Sequence, residues 1–222
     1  MHDAAPHPEP APVGESAERL SNADHEASDE ELALHRFFLY FMLPLWFVPS
    51  VADWWWHKKS DIEHNAGTHE SLTHLAMMGV VGGPLTLALL ADVNALVLTS
   101  MIGGFIAHEG ISYWDVRYAK GLRHITALEQ HTHSYLEILP LMAASVMVCL
   151  RPKQFAAIFG RGDEPARWRI EPKKTPLTAR YIAGIVAGIG ACVVAPYLEE
   201  FVRCFRADPN VLPHPATKPE DC

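Results

Sequence analysis

Apolar residues along this chain gather into five runs, near 36–56, 72–91, 93–114, 134–150 and 180–201. Each is close to the length of about twenty residues that crosses a bilayer core as a helix, and is longer than a buried strand. Inside hydrocarbon every backbone N–H and C=O must find its partner within the segment, so a chain of separate runs resolves as helices. The expected fold is all-α: a polytopic transmembrane helix bundle of four or five spans.

Glycines at 79, 82, 83, 103, 104, 184, 188 and 190 fall inside these runs. They would weaken a helix in water, but between membrane helices they permit close approach. Pro44, Pro84, Pro140 and Pro196 are also internal, and are expected to mark kinks.

The connections differ in chemistry. Residues 57–71 and 115–132 are rich in His and acidic residues, whereas 151–179 carries Arg151, Lys153, Arg161, Arg167, Arg169, Lys173 and Lys174. With five spans, the first two connections share one membrane face, and the N-terminal tail and the basic loop share the other. The bias of Lys and Arg toward the inner side puts the tail and the 151–179 loop in the cytoplasm, and the protein in a bacterial inner membrane.

Charge and composition narrow the classes further. The formal net charge of -8 comes largely from the first 31 residues, which hold nine acidic residues against Arg19 alone. That stretch has no apolar core for a secretory signal, and its Pro, Ala, Glu and Ser content predicts a disordered acidic tail. The division expected is a tail over 1–34, a transmembrane domain over 35–206 and a C-terminal tail over 207–222. No basic stripe with interleaved aromatics is present, which excludes a nucleic-acid partner. Cys149, Cys192, Cys204 and Cys222 form no CxxC, so neither a disulfide framework nor a thiolate metal site is expected.

Eight of the thirteen histidines fall in two windows, 53–74 and 108–137, together with Asp53, Asp61, Glu63, Glu70, Glu109, Asp115, Glu129 and Glu137. Side chains four residues apart share a helix face. Asp53 and His57 are such a pair, as are Glu70 and His74, while Glu129, His133 and Glu137 form a stripe and His108 and Asp115 lie two turns apart. Ionisable groups at membrane depth are costly unless they pair, line a wet cavity or bind an ion. The expected metal-ligating set is therefore His57, Glu70, His74, His108, Asp115, Glu129, His133 and Glu137, with Glu63 next in line. His131 would point away from His133, and His64, His69 and His124 read as surface residues.

Imidazole and carboxylate without thiolate suit iron first, with zinc or manganese as alternatives, and the supply fits two metal ions. The same groups could instead form interfacial ion pairs with Lys58, Lys59, Arg117 and Arg123. Trp54, Trp55 and Trp56 at a span end read as an interfacial aromatic belt.

At these residues the chain resembles a family of bacterial integral membrane proteins that repeat the pattern DW..H, IE, E...H, HE, WD..YA and EQH.HS.LE. Here these are Asp53 to His57, Ile62-Glu63, Glu70 to His74, His108-Glu109, Trp114 to Ala119 and Glu129 to Glu137, within residues 36–206. The resemblance implies the membrane class. The ligand chemistry is similar to that of membrane di-iron enzymes. The HxxHH box of membrane desaturases is missing, and ExxxH stands where ferritin-like di-iron proteins carry ExxH.

The expected function is a non-haem dinuclear iron oxidoreductase, an oxygenase, hydroxylase or desaturase acting on a membrane lipid or apolar small molecule with an electron donor as partner. Two alternatives stand beside it. One is a zinc-dependent membrane hydrolase in which Glu63 or Glu109 serves as catalytic base. The other is a metal or proton carrier without catalysis.

Overall fold

The computed structural model describes residues 29–212. The expectations for the N-terminal tail up to residue 28 and for the chain after residue 212 lie outside the described residues.

Among the described residues the architecture is entirely helical: α1 (Asp29–Lys59), α2 (Gly67–Leu90), α3 (Ala95–Ala119), α4 (Ala127–Leu150), the short α5 (Pro152–Ile158) and α6 (Ala179–Ala207). All but α5 are long and apolar enough to cross a membrane, which makes five candidate spans. The helices overrun the apolar runs at the His-rich end, because α1, α2, α3 and α4 continue through most of the polar windows 53–74 and 108–137. Those windows are therefore helix ends rather than loops, and their side chains keep helical spacing.

Local chemistry explains the helix limits. Asn94 caps α3 by accepting from the backbone N–H groups of Leu96 and Val97 at 3.1 and 3.3 Å. Thr126 and Glu129 form a reciprocal capping box at the start of α4. The turn from α1 to α2 needs two residues with positive φ, Asp61 at 57° and Gly67 at 63°.

Two of the prolines expected to mark kinks have a clear structural effect. Pro44 and Pro196 have no N–H to donate, and one turn before each the helix widens, over Phe38–Met42 and Gly190–Val194. There the N–H of Leu43 reaches back to Phe38 O and that of Ala195 to Gly190 O, one residue further than in a regular helix. Pro84 and Pro140 sit within α2 and α4 without ending them.

Close packing follows small residues. A Cβ at Gly104 of α3 would collide with the Val80 carbonyl oxygen of α2, so only glycine permits that approach. Gly188 of α6 receives the Phe47 ring, and a Cβ there would lie 2.6 Å from it.

The bundle has two unlike halves. At one end Phe38, Met42, Val97, Leu98, Leu150 and Met147 form a buried apolar core. At that same end the basic loop folds onto the α2–α3 turn. Asp92 N–H donates to Glu171 O at 2.8 Å, Asn94 Nδ2 to Arg169 O at 2.7 Å, and Arg167 bridges Asp92 and Glu171 at 2.9 and 2.6 Å. The other end holds the polar turns 60–66 and 120–126 and the C-terminal turns of α6. There α6 packs against α2 over Ala195–Ala207, while its earlier turns lean on α1. The two helices thus separate near the widened turn at Gly190–Val194.

Candidate metal centre

At the polar end, helical spacing delivers paired ligand-type side chains to one point. α1 contributes Asp53 and His57, α2 Glu70 and His74, α3 Asp115, α4 Glu129 and His133, and α6 Tyr197 and Glu200. The five carboxylates and the three imidazoles are all buried. The fifth span was not expected to take part, yet Glu200 has no exposed surface and occupies the centre of the cluster.

Glu200 joins two imidazoles. His57 Nδ1 lies 3.0 Å from its Oε2 and His74 Nδ1 2.8 Å from its Oε1. The two rings stack with centroids 4.4 Å apart and planes 7° from parallel. His74 Nε2 is 3.3 Å from Asp115 Oδ2, and Thr73 donates to the other oxygen of Asp115. His57 Nε2 is buried without a hydrogen-bond partner, 3.7 Å from Glu129 Oε1. Asp53 accepts from the Tyr197 hydroxyl at 2.9 Å through Oδ2. Its Oδ1 lies 2.9 Å from His133 Nε2, at ion-pair distance but without hydrogen-bond alignment.

Within this network three groups have ligand atoms close enough to share one ion: Asp53, His57 and His133; Glu70, His74 and Asp115; and His57, His74 and Glu200. The first two have no residue in common, and the third spans them. Charge bears on the same question. Five buried carboxylates face one buried cation, the Arg123 guanidinium, so with neutral imidazoles four negative charges stay uncompensated. Buried charge in such excess is strongly unfavourable unless cations or protons balance it. Two divalent ions would neutralise it.

Arg123 closes the cluster from the α3–α4 turn. Its Nε and Nη2 reach both oxygens of Glu70 at 3.2 and 2.5 Å, and Nη1 reaches Glu129 Oε1 at 2.6 Å. Burial alone would push its pKa down, but the hydrogen bonds and charges of Glu70 and Glu129 outweigh this and hold it above the ordinary guanidinium value. Glu129 is therefore engaged three times, as cap partner of Thr126, as acceptor from Arg123 and as neighbour of His57.

The residues expected from the sequence separate into three groups. His57, Glu70, His74, Asp115, Glu129 and His133 converge. His108 and Glu137 stand apart from the hydrogen-bonded network: His108 Nδ1 is 3.4 Å from its neighbour Glu109, and Glu137 accepts from Ser112 at 2.9 Å. Glu63 pairs with Arg203 of α6 and Glu109 is partly exposed, so neither candidate base joins the buried network. Glu63 belongs with Asp61 and His64 to a separate, largely exposed acidic group. His131 faces outward and meets the Tyr135 ring edge to face.

Asp53, Tyr197 and Glu200 are the members that the expected ligand set did not hold. Asp53 carried a legible signal, its four-residue spacing to His57. Glu200 carried a weaker one, as one of two adjacent acids, Glu199 and Glu200, that close the last apolar run.

A cavity of about 380 Å³ opens from the cluster. Its polar end is lined by Asp53, His74, His108, Asp115, His133 and Glu137, and its remaining length by apolar residues of α1, α2 and α6 such as Phe47, Met78, Leu89, Ile185 and Val193. Compared with known proteins, the chain matches no family model, no curated protein and no solved structure.

Proposed function

We propose that this protein is a membrane-embedded dinuclear metalloenzyme, a non-haem iron oxidoreductase that oxidises, hydroxylates or desaturates an apolar substrate drawn from the bilayer. The observation that carries the reading is the pair of disjoint buried triads, Asp53/His57/His133 and Glu70/His74/Asp115, linked by Glu200 through one imidazole of each. Two buried atoms without hydrogen-bond partners, His57 Nε2 and Asp53 Oδ1, support ion binding over a purely internal polar network. The donors are nitrogen and oxygen alone, which suits iron and leaves zinc or manganese as other occupants.

In this reading the first triad holds one ion and the second holds the other, and the bound irons supply the dioxygen-activating redox chemistry. The remaining residues have physical tasks. Glu200 orients the His57 and His74 rings, Tyr197 fixes Asp53, and Thr73 fixes Asp115. Arg123 offsets part of the carboxylate charge and closes the end of the cluster beside the 120–126 turn. The apolar cavity brings a water-poor substrate to the ligands. Hydroxylation or desaturation consumes dioxygen with two electrons and two protons beyond those of the substrate, so the reading implies an electron-transfer partner.

The zinc hydrolase is less well supported, because Glu63 is held by Arg203 and Glu109 lies at the edge of the buried network. A carrier would need ligands at successive depths, whereas the opposite half of the bundle is filled by apolar core among the described residues. The loading of the basic loop, with the bias of positive charge toward the cytoplasm, supports a cytoplasmic 151–179 loop and a metal centre nearer the opposite face.

Elemental analysis of the detergent-purified protein, grown with iron, zinc and manganese supplied, tests the reading. The expected content is two irons per chain, lost in part or whole in His57→Ala and in His74→Ala, with a spectroscopic signature of coupled ferric ions. Zinc alone would favour the hydrolase, and a metal-free wild-type protein would falsify the metal centre.

A further inference from the structure

The cavity beside the cluster has a shape and position that identify its occupant more narrowly. Along α2 it is lined from His74 to Leu89, about 22 Å at ~1.5 Å per residue. That length crosses well over half of a hydrocarbon core of about 30 Å. At 380 Å³ the space is therefore long and narrow, with imidazole and carboxylate at one end and apolar wall along the rest.

Three glycines of α2 keep it open. Gly79, Gly82 and Gly83 all line it, and a Cβ built on any of them meets no atom within 4 Å. Unlike Gly104 and Gly188, they make no close helix contact, so the absence of side chains there leaves room instead of permitting packing. Gly79 and Gly83 are exposed, and they lie where α6 has parted from α2 to lean on α1. This makes a lateral opening toward lipid.

The orientation of a guest follows from the interface markers. Trp54 to Trp56 lie at the cluster end of α1, with Lys58 over the Trp54 ring and Lys59 over Trp55 and Trp56. Such a belt marks the headgroup level. A lipid aligned with that leaflet would have its polar end at the cluster and its tail along the chamber.

We infer that the chamber binds one apolar tail of a single-chain amphiphile, such as a free fatty acid or fatty alcohol, inserted between α2 and α6 with its headgroup-proximal carbons beside the His and carboxylate cluster. The inference rests on the proposed metalloenzyme reading for its chemical use. As a binding statement it stands on the chamber alone.

The test uses the full-length protein in nanodiscs with stearic acid carrying a diazirine on its terminal carbon, photolysed and mapped by mass spectrometry. Labelling is expected at the far wall, around Leu43, Leu89 and Ile185, and is expected to fall about tenfold in both Gly79→Phe and Gly82→Leu, whose side chains project into open space. A phosphatidylcholine with two tails should compete poorly. Metal content, measured on the same samples, should stay at the wild-type level in the glycine variants. Conversely, His57→Ala should lose metal and keep the labelling pattern. Labelling confined to the cluster end, or unchanged in both glycine variants, overturns the inference while leaving the metal centre standing. Far-wall labelling of a wild-type protein that itself binds no metal supports the chamber and overturns the enzyme reading.

Discussion

Arg123 is the single side chain whose removal should be felt most directly, because it alone among the described cations reaches both Glu70 and Glu129 inside the cluster. Losing one partner of a buried, hydrogen-bonded charge pair leaves an uncompensated charge and costs about 3–5 kcal/mol. Arg123→Ala is accordingly expected to lower the thermal unfolding midpoint in detergent. Arg123→Lys should recover only part of the loss, because one ammonium cannot match the two-pronged contact with Glu70. Equal stability of Arg123→Ala and wild type would show that the cluster balances its charge without the guanidinium. Glu200 acts differently. Glu200→Gln keeps the shape but can no longer accept from two imidazoles through two oxygens, so the His57 and His74 rings lose a common orienting partner. The expected outcome is a drop of about 10–100-fold in metal affinity, read by chelator competition, with little change in helix content by circular dichroism.

Among the helices, the contact of α2 with α3 offers the cleanest comparison. Gly103 and Gly104 are neighbours, yet a Cβ at Gly103 meets open space while one at Gly104 meets the Val80 backbone. Gly103→Ala should be neutral or stabilising by up to about 1 kcal/mol, since glycine is the weaker helix former. Gly104→Ala should destabilise by about 1–3 kcal/mol, as for other overpacked contacts, because a backbone atom cannot move aside as a side-chain end can. Unfolding in mixed detergent would separate them, and similar values for both would mean that the helices slide apart at little cost. The sequence alone flags both glycines equally; which of them faces the neighbouring helix depends on how α2 and α3 are rotated.

Over the full bundle, five spans put the α2–α3 turn and the basic loop at one end and the buried His and carboxylate cluster at the other. Cysteine scanning on a background without native cysteines can check this, with Asp163→Cys in the basic loop and Asp61→Cys in the α1–α2 turn. Impermeant maleimide applied to inside-out vesicles should label the first and spare the second. The same labelling for both positions would contradict an odd number of spans between them and the topology built on it.

Much of the centre could be read from spacing. The four-residue intervals of Asp53 and His57, Glu70 and His74, and Glu129 and His133 set each pair on one helix face whatever the helices do next, because the α-helical repeat is local. His108 and Glu137 share the same kind of spacing with Asp115 and His133, yet they line the chamber outside the network, since a stripe of several turns is longer than the cluster it borders. Glu63 shows the opposite case: the chain turns at Asp61 before the α2 stripe begins, and Arg203 takes it.

Hydrophobic run length, capping residues and helical spacing thus decide that this chain forms spanning helices and that several carry an acid and an imidazole on one side, for these are properties of short stretches. The central place of Glu200, the clamp by Arg123 and the glycine-lined chamber arise only when distant helices meet. They depend on how the earlier turns of α6 meet α1 and its turns after Gly190–Val194 meet α2, a choice made by packing among the helices that no local stretch encodes.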